Sequence, residues 1–146
     1  MEAKLPHLPE RVWLVMVDIA RIASCIPGCE QVEEHEHLAL YTAVMKQKVG
    51  PFKLEVPAKI VVEEHHQPSL VRARASGKDK LTRTTLAVGL DVRLEPLGDS
   101  GCCLSVHATL QVAGRLASLG YSLIKKKADE NFAEFEKRLL AQLELI

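Results

Sequence analysis

The 146-residue sequence predicts an α+β domain in which a curved antiparallel sheet wraps around one long C-terminal helix. Three observations predict it. Residues 114–146 carry a single apolar stripe at helical spacing, residues 38–112 hold five segments of period two, and short Gly- and Pro-containing turns separate those segments. The stripe comprises Leu116, Leu119, Leu123, Ala128, Phe132, Phe135, Leu139 and Leu143, on about nine turns of helix. The other face carries Lys125, Lys126, Asp129, Glu130, Glu134, Glu136 and Lys137. A helix apolar on one side needs a broad apolar partner, and in so short a chain only the strands can provide it.

Taken in order, residues 1–5 read as a very short strand, and Pro6 and Pro9 then punctuate the chain. Pro9 suits the first turn of a helix, where its missing N–H costs nothing. Val12, Trp13, Met16 and Val17 continue that helix. Asp18 falls at the junction with a second one carrying Ile19, Ile22 and Ala23. Ile26-Pro27-Gly28-Cys29 ends it, because Pro27 cannot continue a helix and Gly28 permits a sharp turn. From Leu38 the period is two. The next segment alternates Leu54, Val56, Ala58, Ile60 and Val62 with polar neighbours, and Pro57 predicts an edge strand or a bulge there. Three more alternating segments follow, around Val71–Ala75, Leu86–Leu94 and Cys102–Val112. Short turns between them imply hairpins and hence antiparallel pairing.

With 47% hydrophobic residues, the chain is one domain, residues 1–146, long enough for a real core. Nineteen Lys and Arg balance nineteen Asp and Glu, and aromatics are only 4%, so neither an electrostatic pull toward nucleic acid nor a base-stacking platform is expected. The longest apolar run, residues 13–17, is far short of the roughly 20 residues that span a bilayer. The N-terminus has no apolar signal segment, which predicts a cytoplasmic protein whose four cysteines stay as thiols. Cys25 and Cys29 lack the usual zinc-ligand spacing, and the adjacent Cys102 and Cys103 point to opposite faces of a strand. His35, His37, His65 and His66 fall in polar turn regions. No metal, no cofactor and no catalytic nucleophile–base pair is expected, so the chain does not read as an enzyme.

Val12-Trp13, Cys25-Ile26-Pro27-Gly28-Cys29-Glu30, Val49-Gly50-Pro51, Gly114-Arg115-Leu116-Ala117 through Leu119-Gly120, and Ala128-Asp129-Glu130-Asn131-Phe132 occur in that order along nearly the whole chain. Together they resemble the signature of the carbon monoxide dehydrogenase CoxG family, in the START-like (SRPBCC) helix-grip superfamily. The resemblance implies an apolar cavity between sheet and helix. It also implies service to a molybdenum carbon monoxide dehydrogenase-type hydroxylase, through membrane recruitment or through binding a lipophilic electron acceptor such as a quinone, or a lipid. Some relatives carry a C-terminal membrane anchor; this sequence ends at Ile146, so permanent anchoring is not expected.

On this reading Leu54, Val56, Ala58, Ile60, Ala73, Ala75, Val88, Leu90, Val106 and Ala108 line the cavity from the sheet, with Leu123, Phe132 and Phe135 opposite. Small side chains at residues 58, 73, 75 and 108 favour space for a hydrophobic small molecule over a solid core, although the sequence allows both. Lys125, Lys126 and Lys127 are the candidate membrane or partner contact. They would make a weak peripheral attachment at the inner membrane face, with Lys127 leaning toward the apolar stripe. Arg72, Arg74, Lys78, Lys80 and Arg83 concentrate charge on one strand pair, either as a solvated face or as a dock for an acidic partner. Two other functions fit the same fold: an assembly or interaction factor with a vestigial cavity, and an aromatase/cyclase-like enzyme, which would need inward polar groups.

Overall fold

The computed structural model describes residues 1–145. One seven-stranded antiparallel sheet runs in the order β1-β7-β6-β5-β4-β3-β2. Its strands are β1 (Glu2–Leu5), β2 (Cys29–Glu36), β3 (Leu40–Val49), β4 (Phe52–His66), β5 (Leu70–Asp79), β6 (Thr84–Leu97) and β7 (Gly101–Ala113). Helices α1 (Pro9–Met16) and α2 (Ile19–Ser24) lie between β1 and β2, and α3 (Tyr121–Glu144) follows β7 after a 3-10 turn (Arg115–Leu119). Consecutive strands from β2 to β7 are neighbours, as the short turns require; only β1 pairs out of sequence, alongside β7.

Three elements differ from the sequence expectation. β2 has no strand signature, since its CEQVEEHE segment has one aliphatic residue, Val32, and no alternation. It is an exposed edge strand whose register against β3 slips between Glu30 and Glu33, with Gln31 at φ 52. β4 is not an edge strand, because it lies between β3 and β5. Pro57 instead stands where the β4–β5 ladder stops, beyond the Ala58–Gly77 pair, and the Glu55 amide donates to the Asp79 carboxylate at 3.3 Å. The C-terminal helix starts at Tyr121 rather than at residue 114, because Gly114 (φ 93) and Gly120 (φ 84) bracket the 3-10 turn. At Gly114 any side chain would collide with the Arg83 carbonyl.

The turn after α2 is fixed by close approach. Gly28, at φ 80, lies so near β3 that a Cβ would strike the Lys46 carbonyl, and its own carbonyl accepts the Lys46 amide at 2.8 Å. Asp18 caps α2 by accepting from the Arg21 amide at 3.3 Å.

Two apolar clusters hold the layers together. The larger joins Ala3 and Leu5 of β1, Val12, Trp13 and Val15 of α1, Leu94, Cys102 and Leu104 of the sheet, and Leu139 and Leu143 of α3. The smaller joins Val49, Leu54, Val56 and Leu116, with Leu119 and Leu123 packed against it. At that second end the Thr84 hydroxyl, fully buried, accepts from the Thr82 hydroxyl at 2.8 Å and the Leu116 amide at 3.3 Å.

Leu139 is completely buried, so Leu139→Ala should cost about 2–5 kcal/mol in urea unfolding. Leu81→Ala, at a residue 88% exposed, should change stability by less than about 0.5 kcal/mol.

Candidate functional site

The candidate site lies on the inner face of the sheet, between the two clusters. In β4, alternation from the buried Leu54 and Val56 places Ala58, Ile60 and Val62 on that face. The register then carries two rows across the sheet. Val62 stands opposite Ala73, Ala73 opposite Leu90, and Leu90 opposite Ala108; one step along, Ile60, Ala75, Val88 and Leu110 follow in the same way. None of these residues packs into either core cluster. All retain solvent exposure, and Leu110, apolar and inward-facing, is 43% exposed. A leucine on the inner face of a filled core would be covered, so the middle of this face is an open apolar cleft.

Two features of the backbone keep it open. The close approaches of α3 are to α1, α2, β3 and the 3-10 turn, with none comparable to β4, β5, β6 or β7 among the described residues. β1 pairs with β7 only from Cys102 to Ser105, so the half of β7 beyond Val106 has no strand along its outer side. The mouth of the cleft therefore lies between α3 and this uncovered half of β7, where Ala108 and Leu110 are exposed.

The residues expected from sequence to line a cavity divide into two groups. Ala58, Ile60, Ala73, Ala75, Val88, Leu90 and Ala108 lie on the open stretch. Leu54 and Val56 are buried in the smaller cluster, against which Leu123 packs, while Val106, Phe132 and Phe135 pack on the larger one. These six thus form the ends of the cleft.

Polar groups on the inner side are engaged with one another. The Gln47 side chain accepts from Asn131 Nδ2 at 3.2 Å and donates to the Pro27 carbonyl at 2.5 Å, tying α3 to β3 and to the turn after α2. The Tyr41 hydroxyl, on a residue only 1% exposed, accepts the Leu38 amide at 2.6 Å and donates to Glu34 at 3.3 Å; burial raises its pKa. Sequence reasoning missed the Gln47–Asn131 tether. Its signal was a polar residue at an inward position of β3 and another within the stripe of α3.

Lys125 and Lys126 are exposed and Lys127 is half-buried, while Lys125 pairs with Asp129 at 2.7 Å. Arg72 lies between Glu64 (3.0 Å) and Asp91 (3.1 Å), and Arg74 meets Glu63 at 3.1 Å, so those two strand-pair cations, expected as part of an acidic dock, are matched by carboxylates. Cys25 and Cys102 are buried in the larger cluster, where burial pushes both thiols up. His37 and His66 contact Glu34 and Glu64 at 2.6 and 2.7 Å on exposed hairpin ends.

The cleft can be probed by volume. Ala108→Phe should leave stability within about 0.5 kcal/mol, because its ring enters open space, whereas Val56→Phe should overpack the smaller cluster at about 1–3 kcal/mol. Chemical denaturation of the two variants decides it.

No curated protein matches the chain by sequence. Solved structures match its fold. A conserved protein from Geobacillus kaustophilus superposes with a TM-score of 0.89 at 20% identity, covering 98% of this chain and 92% of that one. The Zhui aromatase/cyclase from Streptomyces sp. R1128 gives 0.67 at 13% identity, over 99% and 91%. Ara h 8.0201 gives 0.67 at 13% identity, over 100% and 96%. These likenesses establish the START-like helix-grip fold. The family model for the CoxG component of carbon monoxide dehydrogenase matches residues 2–144, and the chain belongs to that family.

Proposed function

We propose that this protein is a non-catalytic carrier of a lipophilic small molecule, a quinone or a lipid, that serves a molybdenum hydroxylase of the carbon monoxide dehydrogenase type. The observation that carries the reading is the open apolar stretch from Ile60 to Leu110, held between two packed ends. An aliphatic or ring-bearing ligand laid there would remove from water both its own surface and these side chains, at roughly 25 cal/mol per Å². Family membership supports the accessory role and the hydroxylase as the partner. Assistance to that enzyme would be membrane recruitment or delivery of an electron acceptor.

The inward polar groups support binding over catalysis. Gln47 and Asn131 hold each other, and Tyr41 is held by Leu38 and Glu34, so each is committed to a structural contact. The aromatase/cyclase likeness is one of fold, at 13% identity.

Organic extraction of the purified protein followed by mass spectrometry should find a hydrophobic molecule. A quinone at about 100 times its Kd should raise Tm by roughly 5–10 °C. Ala108→Phe should lose both effects while remaining folded. No extracted lipid and no thermal shift would leave the assembly-factor reading in place.

A further inference from the structure

Although the chain is formally neutral, its charge is sorted between the two ends of the sheet. Successive hairpins alternate ends, so the β3–β4 turn, the β5–β6 turn and the 3-10 turn gather at one end, and the β2–β3, β4–β5 and β6–β7 turns at the other. The first end carries Lys48, Lys53, Lys78, Lys80, Arg83 and Arg115. None of the six forms an ion pair among the described residues. The acids nearest to them are engaged elsewhere. Asp79 is 2% exposed and accepts the Glu55 and Leu81 amides, Glu30 pairs with Lys46, and Glu55 stands opposite Lys46 in the ladder. The opposite end carries Glu33, Glu34, Glu36, Glu63, Glu64 and Asp99.

At the tip of the basic end stands Leu81, 88% exposed between Lys80 and Arg83, with Tyr121 at 76% where α3 begins. The turn that presents Leu81 is held from below. Its amide is taken by Asp79 Oδ1 at 2.9 Å, and Thr82 is tied to the buried Thr84. A lone leucine offered by a braced turn within a ring of unpaired cations suits a surface with anionic headgroups above an apolar layer. The uncovered half of β7, which forms the mouth of the cleft, runs toward this same end through Ala113 and Gly114.

We propose that the basic end is a docking surface for an anionic phospholipid bilayer, with Leu81 inserted between headgroups. The opposite, acidic end is repelled by the same membrane, which orients the molecule and brings the mouth of the cleft near the headgroup–acyl boundary. Lys125 and Lys126, beside Tyr121 on α3, flank this surface. The proposal deepens the carrier reading by giving it a loading face, and depends on that reading only for what is loaded.

Sedimentation with phosphatidylglycerol vesicles, with phosphatidylcholine vesicles as the neutral control, tests it on the full chain. Wild type should bind the anionic vesicles at low salt and release at high salt. Lys80→Glu with Arg83→Glu should weaken binding at least about tenfold, and more than Lys125→Glu with Lys126→Glu does. The native Trp13 is 3% exposed in the core cluster at the far end, so Leu81→Trp adds a local reporter. Its emission should shift to the blue on anionic vesicles alone. Equal binding to neutral vesicles, or a helix-lysine variant that loses more than the turn variant, would overturn the proposal. Binding with no blue shift would also overturn it, leaving a surface for an acidic protein instead. Ala108→Phe should bind vesicles as wild type does, so a failed ligand search and a failed membrane test remain separate results.

Discussion

The structure depends on α3 being gripped at its two ends and not in its middle. Leu139 and Leu143, both fully buried, fix the C-terminal half against α1, β1 and the sheet. Leu123, with Leu116 and Leu119, fixes the start against Val49 and Leu54. The sixteen residues from Leu123 to Leu139 span about 24 Å of helix. Along that span the inward polar tether is Asn131 to Gln47, which draws the helix toward β3 rather than toward β6 and β7. Collapse of the gap would cover mainly the methyl groups of Ala58, Ala73, Ala75 and Ala108 and parts of a few larger side chains. That gain is small beside the cost of dislodging buried leucines at about 1.5–3 kcal/mol each. An open cleft is therefore compatible with a well-packed protein, because the packing is concentrated where the cleft is not.

The 3-10 turn explains how the second grip is built. A continuous helix from residue 114 would carry Leu116 and Leu119 along the axis of α3, away from the strands. Breaking the chain at Gly114 and again at Gly120 lets the turn lie across the sheet end, where Leu116 drops into the cluster. The Thr84 hydroxyl then receives the Leu116 amide, which in an orphaned state would cost about 1–3 kcal/mol.

Much of this is legible in the sequence. Strands β3 to β7 announce themselves because each has one face against apolar packing, so period two survives in Leu54–Val56 or Leu104–Val106. β2 does not, because an exposed edge has no buried face to impose alternation, and its register slips beside Gln31. The true start of α3 is hidden because Leu116 and Leu119 happen to keep the helical spacing through the 3-10 turn. The cleft is half legible. Alanines at residues 58, 73, 75 and 108 mark space, but whether a helix stands off a sheet is decided by anchors far from those alanines. Pattern alone places Leu54, Val56, Phe132 and Phe135 in the lining, and pattern does not distinguish the ends of a cleft from its floor.

Charge shows the same limit in sharper form. Along the chain Lys48, Lys53, Lys78, Lys80, Arg83 and Arg115 are dispersed among acids, and the total of zero suggests a featureless surface. Hairpin topology turns that sequence spacing into geometry. Turns separated by one intervening turn share an end, so cations near residues 50, 81 and 115 meet while glutamates near 35 and 64 gather opposite. Within a Debye length of about 8 Å, each cation then responds to its neighbours and not to the distant glutamates that cancel it in the total. Net charge governs solubility and bulk migration, whereas encounter with a charged surface is governed by the end that arrives first.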